Sequence, residues 1–230
     1  MNIQILHMIE GAKKATGITV IIDVFRAFSV EAYCFSKGAA GIIPIGNIDL
    51  VYKLKNENPD VVLAGERHGK IMPGFDIGNS PSELMSVDVM NKIVVHTTSA
   101  GTQGIANAKN ADEILGGSLV NAKAIAEYIK KSGAQEVSLV CMGLEALSET
   151  EEDTLCAEYI KSLLEGTDID IEKRIEDLKT TSGAKFFDKS QNDVFPEPDF
   201  AMCTDLDKFN FVMRLKKCDG GINYMERVDL

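Results

Sequence analysis

Ile18-Thr19-Val20-Ile21-Ile22-Asp23 is the stretch that decides the fold. Its β-branched residues predict a buried central strand, and the aspartate ends the apolar run. Residues 26–37 then have helical character and are followed by Gly38, a residue that favours a helix end. A strand followed by a helix is the repeating unit of α/β proteins, and this order recurs on both sides of the stretch.

The strand and helix patterns alternate through most of the chain. Predicted strands cover residues 2–8, 41–45, 61–64, 93–96, 113–115 and 137–142, and predicted helices cover residues 48–56, 121–131, 154–164 and 170–179, with another from about residue 103. Residues 10–17 are predicted as a polar connection. Residues 209–215 and 222–227 flank Asp219-Gly220-Gly221 and predict a C-terminal β-hairpin. We therefore expect one α/β domain over residues 1–230, a three-layer α/β/α structure with a mainly parallel, mixed sheet.

Composition narrows the class of protein. The 230 residues carry a net charge of −11, which disfavours nucleic-acid and anionic-membrane binding. The five cysteines show no C-x-x-C pair and no zinc spacing, as expected for reduced thiols in a cytoplasmic protein. No signal peptide and no membrane span is predicted. A small anionic ligand in a locally positive cleft remains compatible with the charge, and a homo-oligomer is left open.

A long loop, Gly65 to Pro81, follows the apolar run Val61-Val62-Leu63-Ala64. It carries charged groups of both signs among glycines and prolines, and loops of this length in compact domains are more often functional than idle. Polar residues also end other predicted strands. Because ligands bind beyond the carboxyl ends of parallel strands, we expect these polar residues to meet in one cleft.

The turn from Thr97 to Thr102 is the first candidate for anion binding. Its residues Thr97, Thr98, Ser99, Gly101 and Thr102 lie between a strand and a helix N-terminus, where free backbone N–H groups favour negative charge. The alternative is a plain helix cap, since Ser and Thr cap helices well. The turn lacks the spacing of a nucleotide P-loop.

The carboxylates are candidates for holding a hard cation. Asp23, Glu66, Asp76, Glu152 and Asp153 could supply oxygen ligands to Mg²⁺. The alternative for Glu152 and Asp153 is charge that complements a helix dipole. Asp23 is harder to explain structurally, because a carboxylate that ends an apolar strand is costly to bury unless it is paired or liganded.

Basic residues supply candidates for phosphate or sulfonate binding. Arg26 and Arg67 could bind such a group in a bidentate manner, together with Lys70, although Arg26 could equally pair with Asp23. Arg67-His68-Gly69 also matches the Arg-His-Gly triplet of histidine phosphatases. That family needs a second histidine late in the chain, and neither His7 nor His96 is late.

Four ordered motifs make the chain similar to a known family. They are Ile22-Asp23-Val24-Phe25-Arg26-Ala27, then Gly65-Glu66-Arg67 with Pro73-Gly74-Phe75-Asp76-Ile77-Gly78-Asn79-Ser80-Pro81, then Thr97-Thr98-Ser99-Ala100-Gly101-Thr102, and last Glu152-Asp153-Thr154 with Cys156-Ala157. In these motifs the chain resembles the 2-phosphosulfolactate phosphatase family, Mg²⁺-dependent hydrolases associated with coenzyme M biosynthesis. The resemblance covers nearly the whole length.

The resemblance implies hydrolysis of the phosphate ester of a small sulfonated or carboxylated hydroxy acid, with 2-phosphosulfolactate as the first candidate. It implies catalytic roles for Asp23, Glu66 and Asp76, and Mg²⁺ binding by Asp23, Asp76, Glu152 and Asp153. It implies substrate binding by Arg26, Arg67, Asn79 and the turn residues Thr97, Thr98, Ser99, Gly101 and Thr102.

Three departures from the family pattern bear on the substrate. Phe28-Ser29-Val30 stands where threonines are common, Ala100 where asparagine is common and His68 where glycine is common. These changes remove hydrogen-bonding groups near the inferred ligand and leave another phosphorylated hydroxy acid open. The competing hypotheses are a non-catalytic anion-binding or regulatory protein on the same scaffold, and a histidine-type phosphatase that uses His68.

Overall fold

Ten strands form a single sheet in the computed structural model, which describes residues 1–219 and 222–230. In chain order they are β1 (Asn2–His7), β2 (Gly17–Ile22), β3 (Gly41–Pro44), β4 (Val62–Arg67), β5 (Lys70–Ile71), β6 (Ile93–Thr97), β7 (Ala111–Gly117), β8 (Glu136–Cys141), β9 (Phe211–Lys216) and β10 (Tyr224–Asp229). Their order across the sheet is β1-β8-β2-β7-β9-β10-β3-β6-β4-β5.

Helices flank this sheet. They are α1 (Met8–Lys14), α2 (Ala27–Ser36), α3 (Ile48–Glu57), α4 (Pro81–Leu84), α5 (Gly101–Asn107), α6 (Ala122–Ser132), α7 (Glu151–Glu165), α8 (Ile171–Leu178) and α9 (Glu197–Cys203). Short 3₁₀ turns cover Leu119–Asn121, Ala184–Phe187 and Lys189–Gln191. The predicted α/β class, with a mixed sheet and helices around it, is confirmed. Within the described residues no helix is both long and apolar enough to cross a bilayer.

The strand that decides the fold lies inside the sheet, as predicted. Every residue of β2 is buried, and it pairs in parallel with β8 on one side and β7 on the other. Ile21 packs into one hydrophobic cluster, while Val20 and Ile22 pack into another, so both faces of the strand are covered. A buried strand of this kind needs a continuous β-branched run rather than an alternating one, which is what the sequence supplies.

The C-terminal hairpin lies in the middle of the sheet and joins two parallel blocks. One block contains β1, β8, β2 and β7, and the other contains β3, β6 and β4. β9 pairs antiparallel with β7 and with β10, and β10 pairs antiparallel with β3. The predicted hairpin is therefore confirmed in its two strands, whereas Gly220 and Gly221 of its predicted turn lie outside the described residues.

The two blocks run in opposite directions along the sheet, which corrects the expectation that one parallel edge gathers the polar strand ends. Their carboxyl ends nevertheless meet, because α5, which follows β6, packs on β2. At Gly104 of α5 an added Cβ would lie 2.5 Å from Ile21 Cγ2. Strand twist, about 20–25° per step, accumulates across such a sheet and turns one block against the other.

One connection was predicted wrongly. Residues 10–17 were expected to be a polar connection, but Met8–Lys14 forms α1, with buried Gly11 and Ala12 against the core. Glycine within the segment masked the helical pattern, because it carries no apolar side chain to mark the inner face. At Gly11 an added Cβ would lie 3.0 Å from Leu6, so this glycine lets α1 pack closely on β1.

Candidate active site

A cleft of about 130 Å³ lies where the carboxyl ends of the two blocks meet. Its lining combines four buried acids, a fifth acid at Glu145, and an aromatic and cationic side. The lining residues are Asp23, Phe25, Arg26, Glu66, His68, Gly69, Asn79, Ser99, Ala100, Gly143, Leu144, Glu145, Glu152, Asp153, Lys185 and Phe195. Seven residues selected from the sequence as site candidates are brought together here: Asp23, Arg26, Glu66, Asn79, Ser99, Glu152 and Asp153.

Asp23 lies directly after β2 and is 6% exposed. Its Oδ1 accepts a hydrogen bond from the Ala27 N–H at 3.2 Å, and its Oδ2 accepts one from the Gly101 N–H at 3.0 Å. Burial, followed by the nearby charges of Glu66 and Glu152, raises the pKa of Asp23 to about 6. Asp23 therefore joins the N-terminal ends of α2 and α5 while it faces other carboxylates.

Glu66 lies near the end of β4, in the block formed by β3, β6 and β4, and lines the cleft. Its Oε1 accepts from the Ser99 N–H at 2.8 Å, and its Oε2 accepts from the Gly69 N–H at 2.7 Å. The carboxylate is buried and ties the end of β4 to the residues that follow β6. Two charge-assisted bonds to the backbone fix its position, so Glu66 presents its remaining lone pairs at a defined place.

Glu152 and Asp153 lie in the first turn of α7 and are both buried. Asp153 accepts from the Val24 N–H and from the Gly143 N–H, each at 2.8 Å, and so docks α7 on the end of β2. Burial, then the charges of Glu152 and Asp23, raises the pKa of Asp153 well above its usual range. Glu152 differs from the other acids of the cleft, because its buried Oε2 has no hydrogen-bond partner within residues 1–219 and 222–230.

Arg26 lies on the side of the cleft that carries the aromatic rings. Its Nη1 donates to Asp199 Oδ2 at 2.7 Å, and both side chains are buried. Asp199 also accepts from Ser80 Oγ and from the N–H and Oγ of Ser82. The predicted alternative partner of Arg26 was Asp23, so the ion pair exists but with a residue that the sequence did not single out.

Aromatic rings surround the Arg26 guanidinium and Lys185. The Phe195 ring centroid lies 5.0 Å from Arg26 Cζ and 5.2 Å from Lys185 Nζ. Phe25 and Phe186 pack edge to face with centroids 4.9 Å apart. These contacts place two cations against one aromatic group on the side of the cleft that also carries Asn79.

Asn79 is the outer end of a buried polar chain. His96 Nε2 lies 3.3 Å from Asn79 Oδ1, and His96 Nδ1 lies 2.9 Å from Glu31 Oε1. All three side chains are buried. With its carbonyl oxygen directed at the imidazole, Asn79 has its amide N–H₂ left for other partners.

Asp76 lies away from the cleft. Its Oδ2 accepts from the Leu63 N–H at 2.8 Å and lies 3.4 Å from Lys55 Nζ. The loop folds back along β4, so Asp76 packs near the beginning of this strand while Glu66 lies near its end. Ten residues of sequence separate the two acids, and the fold sends them to opposite ends of the same strand.

The remaining candidate residues do not line the cleft, and their side chains form hydrogen bonds with other groups of the protein. Arg67 donates to the carbonyl oxygens of Glu66 and Gly46 and to Thr97 Oγ1. Thr98 Oγ1 accepts from the Thr102 N–H, and Thr102 Oγ1 donates to the Thr98 carbonyl. In the turn from Thr97 to Thr102, which was predicted to bind an anion, the N–H groups of Ser99 and Gly101 donate to Glu66 and Asp23, respectively.

His68 lies at the rim of the cleft with a side chain that is 82% exposed. Its Nδ1 lies 2.8 Å from Glu145 Oε1, and its φ of 54° is left-handed. His7 and His96 do not line the cleft. The second histidine that a histidine phosphatase needs is therefore not beside His68.

Sequence reasoning missed the aromatic and cationic side of the cleft. Lys185 and Phe195 come from residues 182–198, a segment that shows no regular period of apolar residues and therefore predicts neither a helix nor a strand. The available signal was aromatic density: Lys185-Phe186-Phe187 and Phe195 lie close in sequence in a chain with only 7% aromatic residues. Such a cluster in an irregular segment indicates a ring-packed substructure.

The acids of the cleft are the candidate ligands for a metal ion. Among the residues that the structure describes, no three His, Cys, Asp or Glu side chains form a metal-binding group. Mg²⁺ does not require one, because it binds through one or two carboxylates, waters and substrate phosphate. The buried Oε2 of Glu152, which has no partner among the described residues, has the chemistry of a ligand to a hard cation and lies in the same lining as Asp23 and Asp153.

Comparisons with known proteins agree with the sequence motifs. A family model described as 2-phosphosulpholactate phosphatase matches residues 4–218. A protein of Bacillus subtilis (strain 168) named "Probable 2-phosphosulfolactate phosphatase" is 35% identical over 213 residues, 92% of each chain. A protein with the same name from Caldanaerobacter subterraneus subsp. tengcongensis is 32% identical over 211 residues, 86% of this chain and 87% of that one. These matches confirm the resemblance, and the chain belongs to the 2-phosphosulfolactate phosphatase family.

Proposed function

We propose that the protein is a Mg²⁺-dependent phosphatase that hydrolyses the phosphate ester of a small sulfonated or carboxylated hydroxy acid. The first substrate to test is 2-phosphosulfolactate, whose hydrolysis gives sulfolactate and, by the family resemblance, belongs to coenzyme M biosynthesis. One observation carries the proposal beyond family membership. Four buried carboxylates line one cleft, and a buried oxygen of Glu152 has no partner among the described residues.

The charge of the cleft is the reason to include a cation. Asp23, Glu66, Glu152 and Asp153 would repel one another and a phosphate ester, and burying unpaired charges is unfavourable. A Mg²⁺ ion held by Asp23, Glu152 and Asp153 would offset that repulsion. When bound, such an ion neutralises phosphoryl oxygens and lowers the pKa of a coordinated water. Asp76 is left out of this set, since its carboxylate is engaged by Leu63 and Lys55.

The residues of the chain have separate roles in this proposal. Arg26 binds a phosphoryl oxygen through the guanidinium donors that Asp199 does not use, and the Asn79 amide adds a neutral donor. Asp23 or Glu66 orients a water for attack on phosphorus and takes its proton. The bond between phosphorus and the ester oxygen breaks, and the hydroxy acid leaves with a proton on that oxygen.

Phosphate release from a panel of small phosphate esters tests the proposal. The panel contains 2-phosphosulfolactate, 2-phospholactate and an alkyl phosphate that has no anionic group besides its phosphate. Each ester is assayed with Mg²⁺ and with EDTA. We expect release that requires Mg²⁺ and is fastest with 2-phosphosulfolactate. Release that persists in EDTA would contradict the metal-dependent mechanism and favour His68. No release from any ester, with a ligand still raising the melting temperature, would instead favour the non-catalytic binding protein.

A further inference from the structure

The aromatic side of the cleft contains two basic side chains, Arg26 and Lys185, and they differ in how their charge is balanced. Arg26 forms a buried ion pair with Asp199 at 2.7 Å. Lys185 takes part in no ion pair or hydrogen bond between side chains of residues 1–219 and 222–230. Its charge is therefore the one on this side of the cleft that a bound anion can balance without competing with a protein carboxylate.

Lys185 is held by aromatic rings rather than by acids. Its Nζ lies 5.2 Å from the ring centroid of Phe195 and 5.6 Å from those of Phe25 and Phe186. Ring faces attract an ammonium group electrostatically and leave its three N–H donors unused. Apolar surroundings also lower the local dielectric, which strengthens attraction to an incoming anion.

The backbone that carries Lys185 is anchored. The next residue, Phe186, is 1% exposed and packs on Phe25, Phe195 and Phe200 with centroid distances between 4.9 and 6.1 Å. Phe25 lies next to Arg26 in the chain, so the same ring cluster fixes both cations relative to the end of β2. Lys185 is thus part of a built wall and differs from an unrestrained surface lysine.

We propose that Lys185 determines specificity by binding the sulfonate of the substrate, while the phosphate lies at the acids. This inference rests on the proposed function. A sulfonate presents three equivalent oxygens, which suit the point charge of an ammonium, whereas a planar carboxylate matches the guanidinium fork better. Lys185→Arg is therefore expected to favour carboxylate over sulfonate at this position.

A matched pair of substrates isolates the contact. 2-Phospholactate is identical to 2-phosphosulfolactate except that it lacks the sulfonate. We expect Lys185→Met to lower the ratio of kcat/KM for 2-phosphosulfolactate to kcat/KM for 2-phospholactate by about tenfold to a hundredfold, mainly through KM. The control is Lys189→Met, an exposed lysine in the same segment that does not line the cleft, for which the ratio stays at the wild-type value.

The outcomes separate this inference from the proposed function. If wild type hydrolyses both esters and Lys185→Met lowers both equally, Lys185 only supports the rings and the inference fails alone. If the ratio is unchanged, it also fails. If wild type hydrolyses neither ester, the proposed function fails and the inference fails with it. Melting temperatures of the variants show whether the ring cluster survives each substitution.

Discussion

The two walls of the cleft are built in different ways. The acidic wall consists of Asp23, Glu66, Glu152 and Asp153, and the aromatic wall consists of Phe25, Arg26, Lys185 and Phe195. Backbone N–H groups at the ends of strands and helices hold three of the four acids. Ring packing between an irregular segment and the end of β2 holds the aromatic wall. The strand ends and helix ends thus position the acids, whereas packing of an irregular segment against the end of β2 positions the rings and the two cations.

The largest effect is expected at the acidic wall, where Asp23→Asn should lower kcat/KM for the best phosphate ester by about a thousandfold. The variant loses a negative charge, and its amide cannot accept from both the Ala27 and the Gly101 N–H. Steady-state phosphate release with saturating Mg²⁺ measures the change. Binding of a product analogue by calorimetry separates lost chemistry from lost binding.

Asp76→Asn is the matched control, since the same substitution is made in the same sequence loop that carries Glu66. The carboxylate of Asp76 is 39% exposed and bonds to Leu63 outside the cleft. We expect its kcat/KM to stay within about threefold of wild type, with a loss of stability of about 1 kcal/mol. An equal loss of kcat/KM in Asp23→Asn and Asp76→Asn would make Asp76 a catalytic residue and would contradict its placement outside the acidic wall.

A smaller effect, on stability, tests whether the acids repel one another. In EDTA, Glu152→Gln should have a free energy of unfolding at pH 7 about 1 kcal/mol above that of wild type. The reason is that the Glu152 charge is one cause of the raised pKa values of Asp23 and Asp153. Urea unfolding between pH 4 and pH 7.5 measures the difference, and added Mg²⁺ should reverse it, because the variant loses a ligand.

The direction of this pH dependence follows from proton linkage. The pKa of Asp23 rises from 3.8 to about 6 in the folded protein, so the folded state binds more protons than the unfolded state between these values. The contribution of Asp23 to stability is complete below pH 3.8 and is lost as the pH rises through about 6. Glu152→Gln lowers the pKa of Asp23 in the folded protein. The gain in free energy of unfolding over wild type therefore appears near neutral pH and shrinks towards pH 4.

Glu151→Gln is the control for the alternative that Glu152 only complements the dipole of α7. Both residues lie in the first turn of this helix, but Glu151 is exposed and Glu152 is buried. Loss of a dipole-complementing charge destabilises by a few tenths of a kcal/mol. Two variants that are destabilised alike would support the helix-dipole explanation for Glu152 and count against repulsion within the acidic wall.

The acidic wall was largely predictable, because its position follows from local rules. A β-branched run ending in Asp23 marks the end of a buried strand, and acids after strands collect at strand ends in α/β sheets. The two opposed blocks were not predictable, since they depend on pairing of β9 and β10 with strands far away in sequence. The meeting of Asp23 and Glu66 was predicted from their strand ends and is observed, although their strands belong to two opposed blocks and do not share one parallel edge.

The positions of Asp76 and Lys185 could not be predicted from the sequence, and the physical cause is the same for both. Asp76 is placed by the return of its loop along β4, through backbone bonds to Leu63 that no local pattern encodes. Lys185 is placed by the burial of Phe186 among rings from distant segments. In both positions tertiary contacts decide where a charged side chain lies, whereas at Asp23 the strand itself decides.

The smallest effect is expected at the rim, where His68→Gly should change kcat/KM by less than about threefold and stability by less than about 0.5 kcal/mol. The substitution removes an exposed contact with Glu145 but relieves a left-handed backbone, so two small terms oppose each other. Glu145→Gln removes only the contact and serves as the control. A loss of a hundredfold in His68→Gly alone would make the imidazole a candidate nucleophile and would move the chemistry from the acidic wall to the rim.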